Sequence, residues 1–212
     1  MREGPPYQDN VVEQERSIEA IAEDFVSRLK AGELVPLDGI TGSRNLGVYD
    51  FEGKIAKVVK KIRAPKPEVV QELLQRTEDY PRVLVPEHVE PIDEDRSVLL
   101  MEKAEGVSAD RLTAEDIEVI PDEHWQDFES TVRTLSQRGI MIDLTKKSNF
   151  FYDREKGFSF IDIGETGVSE GSTEKFYTKE DGKEYYYPFE RFRLIPKEYI
   201  SARDLFTSIT QD

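Results

Sequence analysis

Three side chains suited to a hard cation, Asp143, Asn149 and Asp162, flank two short apolar runs. The first run is Phe150-Phe151-Tyr152. The second is Phe158-Ser159-Phe160-Ile161, and Asp153-Arg154-Glu155-Lys156-Gly157 lies between them. The runs read as strands and the polar five as their turn. A hairpin of this kind brings an Asp at its entry and an Asp at its exit to one end, with Asn149 between them. One carboxylate can then orient a hydroxyl, while the Asn and the second carboxylate hold magnesium beside phosphate oxygens. The chemistry that these residue types support is phosphoryl transfer.

Other positions fit such a site. In Gly42-Ser43-Arg44-Asn45-Leu46-Gly47-Val48-Tyr49, a glycine-containing turn leads into a strand. Backbone N–H groups in such a turn can bond phosphate oxygens, although a plain hairpin turn reads the same way. Lys57 stands between apolar residues in Ile55-Ala56-Lys57-Val58-Val59. Strand alternation can send it to solvent, and burial requires a partner. Glu72 follows fifteen positions later on a helix, beside Val69 and Leu73, with Glu68 one turn earlier as the competing carboxylate. Either can pair with a buried Lys57 or belong to a solvated helix face.

The elements that position these groups follow from periodicity. A helix is expected from near Asn10, with Glu13 completing a capping box and Ile18, Ile21, Phe25 and Leu29 on its apolar face. Ala31-Gly32 ends it. A hairpin broken at Glu52-Gly53 carries Lys57. Pro67 opens a helix to about Tyr80. Strands are expected near Val83–Val89 and Ser97–Glu102, joined by Asp93-Glu94-Asp95. Pro121 opens a helix with the stripe Trp125, Phe128, Val132 and Leu135, which Gly139 closes. The aromatic run Tyr185-Tyr186-Tyr187-Pro188-Phe189 follows the second hairpin, and a short helix is expected over 200–209.

The chain has 212 residues and a net charge of −15. Such a surface repels nucleic acid and anionic membranes as general partners. There is no cysteine, so disulfides and thiolate chemistry are excluded. No apolar run approaches the ~20 residues of a membrane span, and the N-terminus lacks the apolar core of a signal peptide. His88 and His124 lack metal-ligand spacing. A cytoplasmic monomer is expected, with secretion into a host cytosol as the alternative.

Taken in order, these pieces resemble the protein-kinase-like superfamily over about residues 37–165. Gly42–Tyr49 resembles its glycine-rich loop, Lys57 the third-strand lysine and Glu72 the glutamate of the C helix. Met101-Glu102-Lys103-Ala104 resembles the hinge that holds adenine. Asp143 and Asn149 resemble the catalytic-loop pair, and Asp162-Ile163-Gly164 stands where the family has Asp-Phe-Gly.

The resemblance implies an α+β, bilobal kinase-like fold: a small antiparallel β-sheet lobe with one C-type helix, and a reduced, mainly helical second lobe. The expected divisions are 1–35, 36–103 and 104–212. It implies ATP and Mg as cofactors, and a protein Ser/Thr hydroxyl as acceptor. Asp143, Lys146, Lys57 and Glu72 would be catalytic. Gly42, Ser43, Arg44, Lys57, Glu102 and Ala104 would bind nucleotide, and Asn149 and Asp162 would bind metal. Met141 and Ile142 stand in place of the usual His and Arg, Asn149 follows Asp143 by six positions instead of five, and the short stretch after Asp162 has no Ala-Pro-Glu. Such an outline is similar to minimal kinases of bacterial effector, phage or archaeal type. A partner-binding pseudokinase and a small-molecule kinase of aminoglycoside or choline type are the alternatives.

Overall fold

The computed structural model describes residues 16–37, 45–138, 140 and 147–163, together with the short strands 176–178, 184–186 and 195–196. The chain is α+β. Its first half is a four-stranded antiparallel sheet covered on one face by a helix. Its second half packs two helices against a hairpin.

Helix α1 spans Ile18–Lys30. It begins later than Asn10 suggested, because Ser17 supplies the cap: its hydroxyl accepts the Ala20 N–H at 3.3 Å. Strands β1 (Asn45–Phe51) and β2 (Lys54–Lys60) form the expected hairpin. Its turn holds Glu52 at φ 49° and Gly53 at φ 77°, a pair of left-handed residues that matches strand twist. Strand β3 (His88–Pro91) and strand β4 (Arg96–Glu102) complete the sheet in the order β1-β2-β4-β3. The stretch Val83–Val85 is not part of β3, as the apolar run suggested. Leu84 N–H donates instead to the Phe160 carbonyl, and Phe160 N–H to the Arg82 carbonyl, both at 2.8 Å. Tertiary pairing with the second half here overrides local β propensity.

Strand alternation sorts the sheet's side chains into two faces. Ala56, Val58, Val98 and Leu100 meet Ile21, Ala22, Phe25 and Val26 of α1. Ile55, Val59, Leu99 and Met101 form a small cluster on the opposite face. Lys57 lies in register with Val48 and Leu99, so it shares this second face.

Helix α2 (Pro67–Thr77) has Pro at its first position and is amphipathic, but Leu73 packs into the second core along with Val83 and Val85. Strand β5 (Val107–Ser108), helix α3 (Ala114–Glu118) and helix α4 (Asp122–Gln137) follow. The predicted stripe Trp125, Phe128, Val132 and Leu135 is buried. Strands β6 (Phe150–Asp153) and β7 (Gly157–Phe160) form the second hairpin, with β5 beside β6. Phe128 sits at the centre, with ring centroids 5.1–5.3 Å from those of Phe150, Phe158 and Phe160. Strands β8 (Phe176–Thr178), β9 (Glu184–Tyr186) and β10 (Ile195–Pro196) make a separate small sheet. The helix expected over 200–209 lies outside the described residues, as do Asn10 and Glu13.

Three aspartates hold the turns. Asp93 accepts from Arg96 and from the Asp95 N–H, Asp116 from the Thr113 N–H and hydroxyl, and Asp153 from the Lys156 and Glu155 N–H groups. These hydrogen bonds hold all three carboxyls below their ordinary value. Their folded pKa lies below the unfolded one, so their stabilisation is present above the unfolded value. It is lost as pH falls through the folded one. The Tm is expected to fall as pH drops below about 4. A variant with Asn at 93, 116 and 153 should show a shallower fall over the same range in a differential scanning calorimetry series.

Candidate active site

Lys57 is the first group that the fold settles. On the face opposite α1 it is not solvated: its side chain is 10% exposed. A buried ammonium needs a carboxylate, and Asp162 supplies one, with Nζ to Oδ1 at 2.5 Å. The two residues are 105 positions apart, Lys57 on strand β2 of the sheet and Asp162 just past the end of the second hairpin. The pair therefore bridges the sheet half and the hairpin half.

Asp162 arrives there through the second hairpin. Pairing of Phe150 with Phe160 closes the ladder, and the Ile161 N–H then donates to the Asn149 carbonyl at 2.9 Å. This bond fixes Asn149 and the residue before Asp162 at one end of the hairpin, as the spacing predicted. Asn149 ends a 3-10 turn (Lys147–Asn149) and is 4% exposed. Asp162 has φ 62°, a left-handed conformation that Asp tolerates better than most residues. Ile163 follows it into the second core. Backbone strain of this kind is over-determined from both sides, by the ladder before Asp162 and the buried Ile163 after it.

Glu72 is placed differently from the expectation. It lies on α2, and its carboxylate pairs with Arg76 one turn along, while Lys57 goes to Asp162. The i,i+4 spacing of Glu72 and Arg76 explains this partner. Glu68 is in the first turn of α2 and exposed.

Glu102 closes β4, and its carboxylate is engaged by Lys54, which also binds Glu87 at 2.9 Å. Burial pushes the Lys54 ammonium down, but hydrogen bonds to Glu102 and Glu87 outweigh it and raise the group overall. The hydrogen bond from Lys54 lowers Glu102, whereas burial raises Glu87. This cluster ties the start of β2 to the end of β4, just ahead of Ala104, which is half-buried in the connection between β4 and β5. Gly42, Ser43, Arg44, Asp143 and Lys146 lie outside the described residues. Asn45, which follows Arg44, has its Oδ1 buried without a hydrogen-bond partner. That orphan is an acceptor and suits a hydroxyl donor, not a phosphate.

The donor chemistry fits magnesium. Asn149 and Asp162 offer hard oxygens, and among the described residues no group of three or more His, Cys, Asp or Glu forms an all-protein cage. Magnesium takes one or two carboxylates and completes its shell with phosphates and water. The Lys57 ammonium beside Asp162 adds a cation where phosphate charge would lie.

Sequence reasoning missed Arg76 and Arg138, which join α2 to the end of α4. The Glu72/Arg76 spacing was the available signal for the first of them.

No family model matches the chain, and no curated protein does. Among solved structures it is similar to the Cydia pomonella granulovirus kinase PK-1, at 17% identity and a TM-score of 0.45. The match covers 66% of this chain and 57% of that kinase.

Proposed function

We propose that the chain is an ATP- and Mg-dependent phosphotransferase that acts on a Ser/Thr hydroxyl of a protein. The observation that carries this reading is the Lys57–Asp162 pair, made between the sheet and the second hairpin, with Asn149 at the same hairpin end. Mg bound by Asn149 and Asp162 would supply charge neutralisation on the phosphates of ATP. Lys57 then holds the α- and β-phosphates, and Gly42, Ser43 and Arg44 present N–H groups to them. Backbone groups around Glu102 and Ala104 face adenine. Asp143 orients the acceptor hydroxyl and takes its proton, and Lys146 balances charge on the γ-phosphate.

The test is incubation of the purified chain with isotope-labelled ATP, Mg and a protein lysate, followed by phosphosite mass spectrometry. Labelled Ser and Thr sites are expected, with Lys57→Met lowering their yield by roughly 10²-fold or more. Label of equal yield with Lys57→Met sinks the assignment of Lys57.

One observation favours a second reading, a kinase-like module that binds a partner without transferring phosphate. Glu72 is held by Arg76 and must change partners to reach Lys57. A thermal shift with Mg-ATP but no turnover selects this reading.

A further inference from the structure

Two arginines at helix C-termini bind each other's backbone. Arg76 is the penultimate residue of α2, and Arg138 follows the last residue of α4. Arg76 Nη1 donates to the Arg138 carbonyl at 3.2 Å, and Arg138 Nη1 donates to the Arg76 carbonyl at 2.8 Å. Carbonyls at a helix C-terminus lack intrahelical partners and carry the negative end of the helix dipole, so a guanidinium suits them twice over. Each arginine also has a carboxylate. Glu72 holds Arg76, and Asp79 accepts from Arg138 Nη2 at 3.2 Å. The Arg138 guanidinium lies 5.0 Å over the Tyr80 ring. Beneath this polar clasp, Leu73 of α2, Leu135 in the last turn of α4 and Ile140 beyond it share the second core. The Ile140 N–H donates to the Leu135 carbonyl at 2.9 Å.

The position of the clasp gives it a consequence for chemistry. Arg138 precedes Asp143 by five residues and Lys146 by eight in the chain. Glu72 is one turn from Arg76 on the helix that follows the Lys57 strand. We infer that Arg76 and Arg138 are positioning residues: their reciprocal bonds lock α2 to the chain that enters the Asp143 segment, so that both move as one body. This inference rests on the phosphotransferase reading proposed above. Among the described residues, neither arginine bonds to Lys57, Asn149 or Asp162. Their effect passes through the placement of other residues, where displacements near 1 Å can cost on the order of 10²-fold in rate.

The experiment compares wild type, Arg76→Ala, Arg138→Ala, the double variant and the milder Arg138→Lys. Steady-state transfer from ATP is measured beside amide hydrogen exchange over residues 134–140. Each alanine variant is expected to lower kcat by roughly tenfold or more, with KM for ATP changed less than kcat. The double variant should fall less than the product of the singles, because each bond supports the other. Exchange at Arg138 and Ile140 should accelerate in Arg76→Ala, although the substitution is in another helix. Arg138→Lys keeps a cation at the carbonyl and should recover part of kcat. An active wild type whose alanine variants lose only Tm, with kcat and exchange unchanged, overturns the inference and leaves the phosphotransferase reading intact. A wild type without transfer overturns both. Accelerated exchange in that case would show a structural clasp with no positioning role.

Discussion

Asp162→Ala is expected to lower phosphate transfer from ATP by roughly 10³-fold, which corresponds to about 4 kcal/mol of barrier. Two losses combine in this variant. The carboxylate oxygen that would hold Mg disappears, and Lys57, 10% exposed, loses its 2.5 Å ion pair with Asp162. Removing one member of a largely buried pair also weakens the fold, by about 1–3 kcal/mol here given that Asp162 itself is partly exposed. Two companion variants separate these effects. Asp162→Gly suits φ 62° better than alanine does, so it should be as inactive as the alanine variant but more stable. Asp162→Asn keeps the shape and one oxygen but not the charge, and should fall between wild type and Asp162→Ala. Comparable rates in wild type and Asp162→Gly would remove the carboxylate from the chemistry.

Phe128→Ala should cost about 3–5 kcal/mol, a large share of a typical total of about 5–15 kcal/mol. Phe128 is 2% exposed and its ring meets Phe150, Phe158 and Phe160, on both strands of the hairpin that ends at Asn149 and Asp162. The cavity would lie directly beneath that hairpin, because three of its walls are the hairpin's own rings. Urea denaturation should show a lower midpoint. Transfer activity should fall at temperatures where Val119→Ala, at a position 72% exposed, behaves as wild type. A midpoint shift for Phe128→Ala no larger than that for Val119→Ala would contradict the core assignment.

Local patterning made much of this legible. The stripe Trp125, Phe128, Val132 and Leu135 follows the helical period, and Glu52-Gly53 marks a turn by its conformational needs. The hairpin that joins Asn149 to Asp162 was readable for the same reason. Its strands, turn and flanking polar residues are contiguous, and a ladder converts that contiguity directly into proximity.

What was not legible depends on contacts between distant segments. Alternation alone left Lys57 free to face either solvent or a cleft. Only the cover of α1 on the other side of the sheet, and the arrival of Asp162 from 105 positions away, decide it. Val83–Val85 have the composition of a strand in the first sheet, yet they pack with the second core because Phe160 offers the free ladder positions. Glu72 pairs with Arg76, four residues away on the same helix, at lower entropic cost than with the distant Lys57. The start of α1 shows the same rule at short range. Ser17 caps it next to the buried face of Ile21 and Phe25, whereas the expected cap Asn10 lies outside the described residues.

The most direct test of the Lys57–Asp162 site is the time course of γ-phosphate transfer from labelled ATP as Mg is titrated, in wild type and in Asp162→Gly. Wild type is expected to transfer label in a Mg-dependent, saturable manner, with transfer in the variant lower by roughly 10³-fold at every Mg concentration. Equal, Mg-independent incorporation in the two proteins, or none in wild type, would contradict a phosphotransfer site built on this pair.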